Sequence, residues 1–215
     1  MKELPNQFFY SKKEDRLNVI SHGLGFILSI FGLIFLLIKS FQDYDIVRTS
    51  SFLVYSLSLS MMYIASTLYH SSKTPESRFR YRLFDMISIY LLIAGSYTPF
   101  TLTVLINNGG LTLFILVWLI AIFGIIWQLS TMRKSNVLST VLYIFMGGLW
   151  LFFIDAFINE IPPNALSWIY ASCLAYLMGV FFYLADSKIK YNHFIWHIFV
   201  LFASIFHYIS IYFYI

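Results

Sequence analysis

The sequence predicts an all-α integral membrane protein: a bundle of seven transmembrane helices, N-terminus cytoplasmic and C-terminus outside. Three observations carry this expectation. Charged residues make up 11% of the 215 residues and hydrophobic ones 60%, whereas a soluble domain carries about 25% charged residues. Seven apolar runs, each close to the ~20 residues a helix needs to cross a bilayer, fill most of the chain. The basic residues, finally, collect in alternate connections between those runs, the pattern that sets membrane orientation.

The elements follow in order. Residues 1–19 are polar and mixed in charge through Asp15 and contain no short apolar stretch with a small-residue cleavage site. They are expected to be a cytoplasmic tail, not a removable signal, ahead of a seven-span domain over residues 20–215. Apolar runs fall at about 20–38, 49–70, 82–105, 111–130, 136–156, 165–185 and 193–214. Breaks at Gln42-Asp43-Tyr44-Asp45, Lys73-Thr74-Pro75-Glu76, Asn107-Asn108-Gly109-Gly110, Arg133-Lys134, Pro162-Pro163-Asn164 and Lys188-Ile189-Lys190 separate them, each made of turn-forming or charged residues. Gly23-Leu24-Gly25 and Gly147-Gly148 are expected to let helices approach closely. Asp155 and Asp186 fall at span ends, where solvated interfacial charges belong.

Twelve of the 14 Lys and Arg lie on one side: Lys2, Lys12, Lys13 and Arg16 before the first run, Lys73, Arg78, Arg80 and Arg82 after the second, Arg133 and Lys134 after the fourth, Lys188 and Lys190 after the sixth. Only Lys39 and Arg48 fall on the other. The basic side is cytoplasmic by the positive-inside rule, which is opposite to the orientation of a G-protein-coupled receptor. The net charge of +4 is met by anionic lipid at the cytoplasmic surface, so no nucleic-acid partner is implied and membrane lipids are the expected partners. Cys173, the one cysteine, has no disulfide partner in the chain and reads as a small buried residue.

The polar residues within the runs point to a site. His193 and His197 stand one turn apart on the last span, about 40° apart in projection and about 6 Å apart in rise, a spacing at which both can bind one metal ion. With the orientation above, His70 at the end of span 2 and Asp85 at the start of span 3 reach the same cytoplasmic depth. Three neutral imidazoles form the ligand set of a zinc site that keeps a fourth position for water; Zn2+ suits imidazole better than magnesium or calcium does. Asp85 could take a proton from that water, and Ser66, one turn before His70, could orient it. Hydrogen bonding of the paired histidines to headgroups or neighbouring helices is the alternative use of the same residues. His22 is expected to cap or support the site more than to ligate. His207, about 15 Å beyond His197 along the helix, is too far for the same ion and reads as a polar contact or cavity lining deep in the bundle.

These residues also carry a family resemblance. Ser66-Thr67-Leu68-Tyr69-His70, then Asp85 with Ala94-Gly95-Ser96-Tyr97-Thr98-Pro99-Phe100, then His193-Phe194-Ile195-Trp196-His197 resemble the three motifs of the hemolysin III and progestin/adipoQ receptor family, and Ser21-His22-Gly23-Leu24-Gly25 resembles the start of its bacterial members. The resemblance runs from about residue 15 to 214. It implies a seven-helix fold of inverted receptor topology, zinc held by His70, His193 and His197, Asp85 as the carboxylate on the zinc-bound water, and Ser66 as the serine one turn before the first ligand. It also implies a bacterial cytoplasmic membrane location.

Three functions are expected to compete. The first is a zinc-dependent hydrolase of a lipid amide or ester, since adiponectin receptors of the family are associated with ceramidase activity and bacterial members with membrane-lipid homeostasis. The second is a non-enzymatic sensor or regulator in which zinc ties helices together. The third is cytolysis, as the family name suggests; the residues themselves show neither a secretion signal nor an amphipathic segment that could insert from solution.

Overall fold

The first helix begins ahead of its apolar run. Helix α1 spans Lys12–Gln42, and its start is written as Ser11-Lys12-Lys13-Glu14: the Ser11 hydroxyl accepts from Glu14 N–H at 3.2 Å, the cap that satisfies an otherwise orphaned amide. Glu14 and Asp15 in the first turn add favourable charge at the positive end of the helix dipole. The polar stretch of the sequence up to Asp15 is thus partly helix. The computed structural model describes residues 10–42, 44–130, 137–185 and 190–215; Lys2, Arg133, Lys134, Asp186 and Lys188 lie outside the described residues.

Helix α2 (Ile46–Ser71) is capped by Asp45, whose side chain accepts from Arg48 N–H. Helix α3 (Pro75–Pro99) is capped by Thr74 and has proline in its first turn, where the missing N–H costs nothing. Pro99 cannot continue the hydrogen-bond ladder, and the chain leaves α3 through two π turns, Phe100–Val104 and Ile106–Gly110. Gly109, at φ 83°, makes the bend between them and α4 (Leu111–Ser130). The fifth span is compound: α5 (Val137–Gly148), a 3-10 turn (Leu149–Phe153) and α6 (Ile154–Glu160). Helices α7 (Pro163–Leu184) and α8 (Asn192–Tyr214) complete the bundle. Among the described residues, seven helical segments are long and apolar enough to cross a membrane.

The surface is apolar, and the interior mixes apolar with polar side chains. Ile27, Phe31, Phe35 and Ile38 on α1 are roughly half exposed, as are Leu119, Ile122, Phe123 and Ile126 on α4. Beside an apolar core that includes Phe52, Phe100 and Leu113, buried positions include Ser29, Ser56, Ser58, Ser60, His22 and Ser204. Apolar side chains outward and polar ones inward is the arrangement a hydrocarbon solvent favours. Small residues set the helix spacing: a Cβ on Gly25 would sit 2.5 Å from the Tyr63 ring, and one on Gly95 only 2.1 Å from Ser58 Oγ. Gly147 and Gly148 do not share this role, because a Cβ on either would meet nothing within 4 Å. Their stretch matters through its backbone, where Met146 and Gly147 carbonyls accept from Tyr97 Oη at 2.9 and 3.0 Å.

Lys39 and Arg48, the two basic residues apart from the main group, both serve the end of α8. Lys39 donates to the Tyr212 carbonyl at 2.5 Å and Arg48 to that of Ile215, placing cations at the negative end of the helix dipole.

Candidate metal centre

His70 is in the last turn of α2, and His193 and His197 are in the first two turns of α8. Residues 192–193 are aimed by local structure: Tyr191 turns the chain with a left-handed φ of 62°, uncommon for a non-glycine residue, and Asn192 Nδ2 donates to the Phe182 carbonyl of α7 at 2.7 Å. Helix α1 lies against both α2 and α8 and spans the seam where the three rings meet.

The three imidazoles are buried and each offers a nitrogen within 4.8 Å of the others. Their ring centroids form a nearly equilateral triangle with sides of 5.0, 4.9 and 4.9 Å. His70 Nε2 and His193 Nε2 are 3.2 Å apart, close to the ~3.3 Å edge of a tetrahedron with Zn–N bonds of about 2.05 Å. Two ring nitrogens so placed need a proton or a cation between them. His197 Nε2 is buried with no hydrogen-bond partner, an arrangement that costs free energy unless something binds it.

The opposite nitrogen of each ring is met from α1 or from Tyr10 just ahead of it. His70 Nδ1 is 2.9 Å from Asp15 Oδ1; because a carboxylate only accepts, Nδ1 carries the proton and Nε2 the lone pair. Asn18 Nδ2 is 3.3 Å from the same Nδ1; with Nδ1 protonated both are donors, so this is a packing contact and not a hydrogen bond. His197 Nδ1 is 3.3 Å from Ser21 Oγ, and that hydroxyl spends its own hydrogen on the Asn18 carbonyl, so it accepts from His197. Tyr10 Oη lies 2.8 Å from His193 Nδ1. Outer partners of this kind orient metal-binding histidines and fix their tautomer. The residues fit a divalent cation at the three Nε2 atoms.

Arg78 was expected among exposed loop cations. It is fully buried in the first turn of α3, because it has three acceptors there: Nη1 donates to the Tyr69 and His70 carbonyls at 3.0 and 3.2 Å, and Nη2 to Asp15 Oδ1 at 2.7 Å. Its guanidinium also lies over the Tyr69 ring, 4.3 Å from the centroid. It thereby closes the end of α2 and fixes Asp15.

Asp85 is buried about three turns into α3 rather than in its first turn, since α3 starts at Pro75. It lies near Ser66, Arg78 and Arg82 and is not among the residues whose ligand atoms converge. Ser66 is buried, its hydroxyl beside the Asp85 carboxyl. His22 stacks on His197 with centroids 3.6 Å apart and planes 14° apart, and meets Tyr63 edge-on at 5.2 Å. His207 is outside the cluster; its Nε2 donates to the Ser96 carbonyl at 3.1 Å. That carbonyl would take Phe100 N–H in an unbroken helix, but Phe100 N–H goes to Tyr97.

Asp15 and Asn18 escaped the sequence reading because they fall in what looked like a polar tail, and Ser21, at the start of the first apolar run, was read only as part of a motif. The signal was present: Asp15, Asn18 and His22 recur at i, i+3 and i+7, one helical face, behind a capping box. Tyr10 had no such signal.

A bundle of seven membrane-crossing helices with a buried triad of histidines at one end defines a class of multi-pass membrane protein with a candidate metal centre. The profile of the family described as Haemolysin-III related matches residues 10–208, and the chain belongs to that family. It is 37% identical over 203 residues to "Hemolysin-3" of Bacillus cereus, covering 94% of this chain and 92% of that one. It is 35% identical over 198 residues to "Hemolysin-3 homolog" of Bacillus subtilis (strain 168), covering 91% of each. The human "Monocyte to macrophage differentiation factor" is 28% identical over 167 residues, covering 75% of this chain and 69% of that protein.

Proposed function

We propose that this protein is a zinc-dependent hydrolase of a lipid amide or ester, acting in a bacterial cytoplasmic membrane with its N-terminus inside and its C-terminus outside. The observation that supports it most is the convergence of three buried imidazole nitrogens within 4.8 Å, a three-His set of the kind used by catalytic rather than purely structural zinc. Zinc held there supplies a Lewis acid for a carbonyl and acidifies water to a pKa of about 7. Asp85 accepts the proton of the attacking water and passes it to the leaving group, and the Ser66 hydroxyl beside Asp85 orients that water. Purified protein loaded with zinc, presented with a broad panel of ceramides, phospholipids and acyl esters, is expected to release fatty acid; no release from any of them refutes hydrolysis.

A second reading is favoured by one observation: the ligands come from α2 and α8, and α1 holds both behind their rings. In that reading zinc ties helices together in a membrane-homeostasis sensor. Full cellular function of an Asp85→Asn variant that retains zinc selects it over hydrolysis. The name of the two Bacillus relatives raises direct lysis; dye escaping from liposomes at low protein-to-lipid ratio is the result that would establish it here.

A further inference from the structure

One stretch of α1 stands behind two of the three ligands, and its most strongly bound member is a carboxylate. Asp15 Oδ1 is shared between His70 Nδ1 at 2.9 Å and Arg78 Nη2 at 2.7 Å, and the Asp15 side chain is 16% exposed while those of His70 and Arg78 are 0% exposed. Ser21, on the same helix, accepts from His197 Nδ1. An aspartate that served only as the counter-ion of Arg78 would have no need of a ring nitrogen. Placed between the two, it receives one proton donor from each and leaves His70 Nε2 bare toward His193 and His197.

We propose that Asp15 is a positioning residue of the metal centre, fixing the Nδ1–H tautomer of His70 so that Nε2 is the atom offered to the cation, with Ser21 doing the same for His197. The inference rests on the reading that His70, His193 and His197 hold a divalent cation. A carboxylate behind a ligating imidazole orients the ring and raises its basicity, and losing it costs 10–100-fold in metal affinity. An amide at position 15 can present an N–H to Nδ1 and so favours the opposite tautomer.

The test is zinc affinity of the full chain in detergent or nanodiscs, by competition with a chelator, alongside the visible spectrum of the Co2+-loaded protein. Asp15→Asn is expected to weaken zinc by about 10–100-fold and to alter the Co2+ bands, whereas Asp15→Glu holds zinc more tightly than Asp15→Asn. Ser21→Ala leaves the Asp15–Arg78 pair untouched and is expected to weaken zinc by a smaller factor. An unchanged dissociation constant in Asp15→Asn, or in Ser21→Ala should Asp15→Asn fail to fold, overturns the inference while the metal reading stands. A wild type that binds no zinc overturns both, and that arm is decided without any variant.

Discussion

His197 and His207 sit on one helix, three turns apart, and show how differently a bundle can use the same side chain. His197 is fully buried, gives its Nδ1 proton to Ser21, stacks flat on His22, and leaves Nε2 without a partner. His207 spends Nε2 on a carbonyl of α3 near the Pro99 break. The first is prepared to bind something; the second repairs a defect in a neighbouring helix. What separates them is the occupation of the nitrogen that faces inward, a more telling property than burial or depth in the bundle.

Variants can break or sharpen that contrast. The largest effect is expected at the ligands: His70→Ala, His193→Ala or His197→Ala should each abolish near-stoichiometric zinc, while His207→Ala keeps it; elemental analysis of the purified proteins decides, and zinc retained in a ligand variant erases the distinction. Asp85→Asn should keep zinc and lower hydrolysis by about 10²–10⁴-fold, read as fatty-acid release at equal metal content; an undiminished rate removes Asp85 from the chemistry. His207→Ala leaves the Ser96 carbonyl without its donor and should cost about 1–3 kcal/mol, seen as a lower Tm in detergent with zinc content unaltered. His22→Ala removes a ring stack worth about 0.5–1.5 kcal/mol and should loosen zinc by up to about tenfold, whereas His22→Phe, which keeps the stack, should stay near wild type; chelator competition on both tells a packing role from a chemical one. Gly147→Ala, with open space around its Cβ, should move stability by no more than about 0.5 kcal/mol, in contrast to Gly95→Ala, which drives a methyl into Ser58.

The fold was legible because a bilayer leaves few choices: a run such as 111–130 has to be a spanning helix, and α4 occupies Leu111–Ser130. Helix ends were less legible where polarity and helicity part company. Ser11 and Glu14 carry α1 back beyond its apolar run, and Pro75 starts α3 ahead of the run at 82, which moves Asp85 from the first turn to the third. His70, His193 and His197 could be grouped from spacing and orientation alone, and the structure brings those three together. Asp15 could not be placed beside His70 without knowing that α1 packs on the end of α2. Arg78 looked like an ordinary loop cation, since nothing in one sequence marks which arginine will find two helix-end carbonyls and a carboxylate.

The order of the chain gives the Asp15–His70–Arg78 arrangement a bearing on biogenesis. Those three residues belong to α1, α2 and α3, which leave the ribosome first, so one corner of the centre can be assembled and its charges neutralised early in synthesis. His193 and His197 arrive with α8, after three further spans. A cation held by all three histidines would therefore require a bundle complete through to α8, and its occupancy would distinguish finished molecules from those arrested partway.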